Sequence, residues 1–188
     1  MDEVINFWFG PPGSPTDGRK RREWFQKDPE FDRQIQTRFL SIYQQAAAGE
    51  LNFWQEAPRG CLALILLFDQ FPRNMFRGQP QAFATDAQAL AVAQWAIAQG
   101  FDQALPSVQR QFCYFPFEHS ENLAHQHQAV ALFAALKDNP EAAASYDYAL
   151  RHLAIIEQFG RFPHRNTILG RETTPAEAEF LTQPGSSF

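Results

Sequence analysis

Three short segments of the sequence concentrate the side chains that could do chemistry. Residues 68–77 (FDQFPRNMFR), 117–127 (FEHSENLAHQH) and 161–171 (RFPHRNTILGR) are rich in Arg, His, Asn, Asp and Glu. An arginine that is not neutralised by a carboxylate of the protein itself can bind a carboxylate or phosphate group of a ligand through two parallel hydrogen bonds. The segments therefore predict a polar pocket for a small anionic ligand. The residues predicted to line it are Arg73, Asn74, Glu118, His119, Glu121, Arg161, His164, Arg165, Asn166 and Arg171.

Asp69 and Gln70 are predicted to support this pocket from behind. Asp69 directly follows the apolar run at 61–68 (CLALILLF), so its carboxylate starts from a poorly solvated position and needs a cation. Arg73 lies four residues later, about one helical turn, and can supply that charge. The same pattern also fits a second interpretation, in which the polar segments are a structural ion network.

Proton transfer and metal binding are the two catalytic possibilities in these segments. His119 and His164 are the candidate proton carriers, with Glu121 as the orienting partner. Nucleophile-elbow, phosphate-loop and dinucleotide motifs are missing, so whether the protein is an enzyme stays open. Glu121 and His125 are one helical turn apart, but a single pair lacks the three or four ligands that zinc needs. We therefore predict no metal and no cofactor.

A repeated phrase links two of the segments. Residues 68–74 (FDQFPRN) and 159–166 (FGRFPHRN) both contain Phe-x-x-Phe-Pro and then Arg-Asn. Proline disrupts helical hydrogen bonding and restricts the residue before it, so Pro72 and Pro163 are predicted to end helices. The Arg-Asn pairs exceed what a helix terminator needs. We expect them to face each other or a common carboxylate cluster.

Helical periodicity dominates the chain and strand alternation is almost absent. The sequence predicts an all-α fold of about eight or nine antiparallel helices, in one domain over residues 1–188 with a short flexible tail at about 183–188. The run at 61–68 is apolar almost all round, which predicts a central helix buried on most sides.

Several residues mark predicted helix ends. The N-cap Asp28 and a following proline begin one helix, which stops before Gly49. Residues 139–141 (NPE) are predicted to open a helix that stops at Gly160. Residues 174–177 (TPAE) predict a capping box. Ser120 is the candidate cap of the helix that follows it, which would place Glu121 in the first turn.

Composition and charge exclude several classes of protein. A net charge of −5 and a pI near 5.5 argue against a general nucleic-acid binder. The longest apolar run, at 61–68, is too short to cross a bilayer, and the acidic start of the chain does not resemble a signal peptide. Two cysteines cannot form a disulfide framework. We predict a soluble, cytoplasmic protein with no membrane partner.

The polar segments also carry a family resemblance. FWFG near the start, LILLFDQFPRNMFRG, FPFEHSEN and FGRFPHRNTILGRETTPAE resemble, in order over almost the entire chain, a family of uncharacterised, mainly bacterial proteins with a domain of unknown function. The resemblance implies an all-helical domain with a tetratricopeptide-like arrangement of antiparallel helix pairs, although the classical repeat consensus is absent. It implies no established activity, cofactor or catalytic residue.

Two functions follow from these observations. The first is the anion-binding pocket, for which the sequence leaves catalysis open. The second is a non-enzymatic interaction scaffold of tetratricopeptide-like type, which would bind a partner peptide on a concave surface. A peptide groove should expose a stripe of aromatic residues such as Trp24, Trp54 and Trp95, whereas a pocket should bury them. The sequence leaves the ligand and the oligomeric state open.

Overall fold

The computed structural model describes residues 1–187, and no strand occurs in that range. The α-helices are α1 (Asp2–Phe9), α2 (Pro29–Ala47), α3 (Pro58–Ile65), α4 (Phe71–Met75), α5 (Asp86–Ala98), α6 (Ser107–Glu118), α7 (Leu123–Ala134), α8 (Ala144–Phe159) and α9 (Pro175–Leu181). Short 3-10 helices lie at Arg22–Trp24, Asn52–Glu56, Pro80–Phe83, Asp102–Ala104 and Pro163–Arg165. The predicted all-α class is confirmed.

Two finer predictions about the fold stay predictions. They are the tetratricopeptide-like arrangement of helix pairs and the flexible tail at about 183–188. Of that tail, Phe188 lies outside the described residues. Within residues 1–187, no helix combines the length and the apolar character that crossing a membrane requires.

Three of the predicted helix ends are confirmed. The Asp28 carboxylate accepts hydrogen bonds from two free N–H groups in the first turn of α2, at 2.9 and 3.2 Å. Thr174 and Glu177 form the capping box of α9, because each side chain accepts from the other residue's N–H, at 3.3 and 2.8 Å. Gly160 ends α8 with a φ of 69°, in the left-handed region that glycine adopts without strain.

Two predicted helix starts are wrong. Helix α8 begins at Ala144 and not at residues 139–141. The Asn139 side chain accepts the Glu141 N–H at 2.9 Å, and this bond forms a local turn and not a helix cap. The cap of α7 is Asn122, whose side chain accepts from two N–H groups of the first turn. Glu121 therefore precedes α7 and does not lie in its first turn.

Pro72 does not end a helix, contrary to the prediction. The chain passes from α3 through a π-helical turn, Leu66–Gln70, directly into α4. Proline has no N–H to donate, and the carbonyl of Phe68 four residues earlier instead accepts the Thr85 hydroxyl at 2.7 Å. Single π-turns are frequent at functional sites. Pro163 is not a terminator either, since α8 already ends at Gly160 and Pro163 begins a 3-10 helix.

The centre of the core is the segment from α3 to α4, as predicted for the apolar run. Every residue from Gly60 to Pro72 is buried. The second buried element is α6, in which residues 111–118 are buried without a break. The polar residues at the ends of these two elements are attached to rigid, poorly hydrated backbone. Such an attachment suits a site that must hold its geometry.

Candidate functional site

The buried carboxylate of Asp69, in the π-turn, is bonded to the imidazole of His119, which follows α6. Asp69 Oδ1 lies 2.6 Å from His119 Nδ1, and Oδ2 accepts from the amide of Gln70. Burial by itself would raise the pKa of Asp69, whose side chain is only 1% exposed, but Arg73 and His119 outweigh it and hold the pKa at about 2. Asp69 is therefore ionised at neutral pH.

The imidazole of His119 is neutral at neutral pH. Burial, helped by the positive charge of Arg73, holds the pKa of His119 below its usual value in spite of Asp69. Because the ionised Asp69 can only accept, Nδ1 carries the proton and donates it, and the lone pair lies on Nε2. Nε2 makes no hydrogen bond within the described chain, and the side chain is 16% exposed. His119 thus has the arrangement of an oriented base.

Glu121 is not the orienting partner of a histidine, so this prediction is wrong. Its carboxylate accepts two hydrogen bonds from Arg171, at 2.7 and 3.1 Å, and one from the N–H of Phe162 at 2.8 Å. Burial opposes ionisation of Glu121, but these hydrogen bonds hold its pKa below the usual value. Asp69, which the sequence placed only in a supporting role, orients His119.

Arg73 and Arg165 meet at one carboxylate, that of Asp86. Arg73 binds both Asp86 oxygens, at 2.8 and 3.2 Å, and also lies 3.3 Å from Asp69 Oδ1. Arg165 Nη1 lies 3.7 Å from Asp86 Oδ2. The predicted convergence of the two arginines on a common carboxylate is confirmed.

The guanidinium of Arg165 is held in place but is poorly neutralised. Nη1 donates to the carbonyl of His119 at 3.0 Å, and the rings of Phe162 and Phe83 lie 4.5 and 4.9 Å from the guanidinium carbon. Nε is buried without a partner, and Nη2 makes no hydrogen bond to any residue from 1 to 187. Burial and the charge of Arg73 lower the pKa of Arg165 to about 10, and the side chain is 8% exposed.

Each of the other two predicted arginines makes two hydrogen bonds to one carboxylate. Arg161 binds Glu177 at 2.6 and 2.9 Å, and Arg171 binds Glu121 as described above. The charges of Arg161 and Arg171 are therefore neutralised by carboxylates in direct contact, although Arg171 Nε is buried without a hydrogen-bond partner in residues 1–187. These pairs have the character of the structural ion network that the second interpretation predicted.

The two asparagines of the repeated phrase do not face each other. Asn74 donates to Asp32 at 2.8 Å, on the side where α4 packs against α2, so it does not join the Arg165 region. Asn166 is buried near Thr173, at 3.5 Å, and its Oδ1 has no partner within residues 1–187. The prediction of converging Arg-Asn pairs thus holds for the arginines only.

Three further histidines complete the description of the predicted residues. The buried Glu118 lies 3.0 Å from Nδ1 of His152, whose ring centre is 6.2 Å from that of His119. His164 lies next to Arg165, and burial with the positive charge of that arginine lowers the pKa of His164 to about 4. His125 Nδ1 bonds to the hydroxyl of Ser120 at 2.9 Å and does not pair with Glu121. Within residues 1–187, no group of three His, Cys, Asp or Glu side chains could hold a metal ion.

The sequence of residues 4–185 matches a family described as bacterial protein of unknown function, DUF924. The chain belongs to this family. The DUF924 chain is also similar to the solved structure of a protein of unknown function from Agrobacterium tumefaciens, with 41% identity and a TM-score of 0.85. That similarity covers 96% of this chain and 95% of the other. No curated protein matches the sequence.

Two cavities of the DUF924 chain lie away from this cluster. Their volumes are about 620 and 270 Å³, and both adjoin the end of α1, where Asn6 and Gly10 line each of them. None of the predicted site residues lines either cavity. Of the tryptophans that were to distinguish pocket from groove, Trp24 is buried, Trp54 is half-buried and Trp95 is 46% exposed.

Asp86 and His152 are the members of the cluster that sequence reasoning missed. Asp86 opens α5, where an acidic residue is common for helix-dipole reasons, so its local sequence does not indicate a shared counter-ion. His152 does carry a usable signal. It falls on the same helical face as Ala149, Ile155 and Ile156, which are buried, and a histidine on an apolar face needs a polar partner.

Proposed function

We propose that this DUF924 protein binds a small anion, a carboxylate or a phosphate group, at Arg165. The observation that carries the proposal is the Nε–Nη2 edge of a buried guanidinium, which makes no hydrogen bond within residues 1–187 and whose positive charge Asp86 neutralises only in part. That edge presents two parallel N–H groups at the spacing of two carboxylate or phosphate oxygens. A bound anion would supply both the missing charge and the missing acceptors.

The electrostatics support an anion at this position. A buried cation is costly unless a counter-charge and hydrogen bonds accompany it. Asp86 is too far from Arg165 for a hydrogen bond, at 3.7 Å, and is already bonded twice to Arg73. The lowered pKa of Arg165 expresses the same deficit. The rings of Phe83 and Phe162 fix the guanidinium plane, so the open edge keeps one direction.

Titration calorimetry with inorganic phosphate and with acetate tests the proposal. We expect the wild-type chain to bind at least one of them and Arg165→Met to bind it at least about tenfold more weakly, since one charge-assisted bidentate contact contributes that much. Arg77→Gln is the matched control, because Arg77 is already bonded to both oxygens of Asp32. Equal affinity in the wild-type and Arg165→Met chains would overturn the proposal.

An interaction scaffold is the alternative function. It draws support from the exposed rings of Trp95 and Phe53, and the Trp95 indole donates to the carbonyl of Gln55, two residues after Phe53, at 3.1 Å. A partner peptide would cover these rings. The predicted cytoplasmic location and the catalytic roles of the histidines stay predictions.

A further inference from the structure

We propose that the anion bound at Arg165 is the phosphoryl group of a phosphate monoester and that His119 is the general base for its hydrolysis. This inference rests on the proposed function, because it requires an anion at Arg165. It assigns a reaction class to a site for which the preceding section proposes binding alone.

The first support is the state of the base. Asp69 fixes the Nδ1–H tautomer of His119 through a 2.6 Å hydrogen bond and leaves the lone pair on Nε2. Gln70 and Arg73 in turn bond to Asp69, so the carboxylate cannot rotate away. A histidine oriented by a buried carboxylate is the arrangement that general bases use in hydrolytic enzymes. No residue from 1 to 187 makes a hydrogen bond to Nε2.

The second support is the distance between the base and the cation. Arg165 Nη1 donates to the carbonyl of His119 itself, at 3.0 Å, so the anion site and the base are attached to the same residue. In this proposal, a molecule held by the Nε–Nη2 edge of Arg165 lies near the His119 side chain. This proximity is what general-base catalysis requires of a candidate pair.

The third support is the chemistry of the anion. A carboxylate bound by arginine is a poor electrophile, so water would have to attack some other part of that ligand. A phosphoryl group is both the anion that arginine recognises and the electrophile that water attacks. Phosphate monoesters are therefore the class in which one contact, with Arg165, both holds and activates the reacting group.

The reaction balances without a redox partner or a covalent intermediate. His119 Nε2 takes a proton from water as the water oxygen forms a bond to phosphorus. The ester P–O bond breaks, its electron pair goes to the leaving oxygen, and that oxygen takes a proton from solvent. The products are an alcohol and inorganic phosphate, and His119 returns its proton to solvent. Arg165 stabilises the negative charge on the phosphoryl oxygens during the attack.

The charges around His119 set the expected pH dependence. Its neighbours are Asp69 from the π-turn, Arg73 from α4, Glu118 from α6, His152 from α8 and Arg165 from the last 3-10 helix. The unprotonated imidazole is the active form of a base, so the rate should fall as the solution becomes acidic enough to protonate His119. This acidic limb is expected of the wild-type protein, so no variant is needed to test for it.

Phosphate release from 4-nitrophenyl phosphate and from a panel of biological phosphate monoesters tests the inference. We expect turnover by the wild-type chain with an acidic limb in kcat/KM, and a loss of about 100-fold or more in His119→Gln, the range typical of a general base. The affinity of His119→Gln for inorganic phosphate should stay within about threefold of wild type. Arg165→Met should lose phosphate binding as well as turnover. His127→Gln and Arg77→Gln are the controls that should keep both.

Asp69→Asn tests the positioning role of the carboxylate. We expect kcat to fall while KM stays nearly constant, and the acidic limb to move, since the tautomer and basicity of His119 depend on Asp69. A structural role alone would not move that limb. Circular dichroism identifies any variant that fails to fold, and the wild-type turnover and its pH profile then decide alone.

The outcomes separate the two proposals. If the wild-type chain binds inorganic phosphate but releases none from any monoester, the hydrolysis is wrong and the proposed function stands. If it binds neither phosphate nor acetate, both are wrong. Turnover that His119→Gln retains at the wild-type rate also overturns the inference.

Discussion

Arg73 and Arg165 approach the same carboxylate, that of Asp86, at 2.8 and 3.7 Å. The two arginines are not equivalent, because Arg73 also has Asp69 at 3.3 Å and hydrogen-bonds both Asp86 oxygens. Asp86 is one carboxylate shared by two cations, and it neutralises Arg165, the more distant one, less than Arg73. The guanidinium pair therefore separates into a structural member, Arg73, and an under-neutralised member, Arg165.

This asymmetry predicts opposite stability effects for the same substitution. Arg73→Met leaves Asp69 without its arginine and Asp86 with only the more distant Arg165, and it should cost about 3–5 kcal/mol of unfolding free energy, the usual range for breaking a buried ion pair. Arg165→Met removes a buried charge that lacks a full partner, and the flexible methionine can pack between the same two rings. We expect a change within about 1 kcal/mol, or a gain in stability. Urea titrations of both variants measure the difference.

A loss for Arg165→Met as large as that for Arg73→Met would contradict this expectation. It would mean that the Arg165 contacts with His119 and the rings stabilise the fold more than the buried charge costs. Arg165 would then be one more member of the ion network, and the case for a ligand at its open edge would weaken.

Part of this cluster could be predicted from sequence because chemistry and position coincide there. Asp69 ends an apolar run, so a buried carboxylate and a cation one turn later follow from solvation alone. The repeated Phe-Pro and Arg-Asn residues were the basis for predicting that Arg73 and Arg165 converge. Their distances to Asp86 confirm this prediction. Helix caps with a side-chain acceptor, such as Asp28, were predictable because their hydrogen bonds are local.

The rest depends on contacts between distant residues. The sequence indicated that Pro72 ends a helix, but Thr85 satisfies the Phe68 carbonyl and the chain stays helical through a π-turn. Glu121 was assigned as the orienting partner of His119 or His164, whereas Arg171, fifty residues away, binds it. Such pairings are set by tertiary packing, which local patterns do not encode.

The π-turn itself yields a second prediction. Thr85→Val keeps the shape of the side chain but removes the hydroxyl that donates to the buried Phe68 carbonyl at 2.7 Å. An unsatisfied buried acceptor should cost about 1–3 kcal/mol. Thr85 makes no side-chain cap bond to α5, so loss of a helix cap does not contribute. The exposed Thr182→Val is the matched control and should change the unfolding free energy by less than about 0.5 kcal/mol.

Gly60 provides a third prediction, about the packing of α3. A Cβ at this position would lie 1.9 Å from the carbonyl oxygen of Trp54, and that oxygen belongs to backbone that cannot rotate away. Gly→Ala in an open helical position normally stabilises by up to about 1 kcal/mol. Here we expect Gly60→Ala to destabilise by at least about 2 kcal/mol through overpacking. The neighbouring Arg59→Ala should stay near wild type, and a stabilised Gly60→Ala would disprove the close approach.

The last prediction concerns the stability of the fold below neutral pH and the role of His164. Its pKa is about 4 in the folded chain, lowered by burial and by Arg165, against 6.5 for the unfolded chain. Below pH 6.5 the unfolded state takes up a proton that the folded state refuses, so this contribution to stability is present above that pH and is lost as the pH falls towards 4. Each pH unit in the window corresponds to about 1.4 kcal/mol for one group. Between pH 7 and 4.5, His164→Gln should therefore lose about 2–3 kcal/mol less than wild type in urea titrations. The exposed His127→Gln should follow the wild-type curve. Parallel curves for His164→Gln and wild type would show that His164 titrates normally in the folded chain.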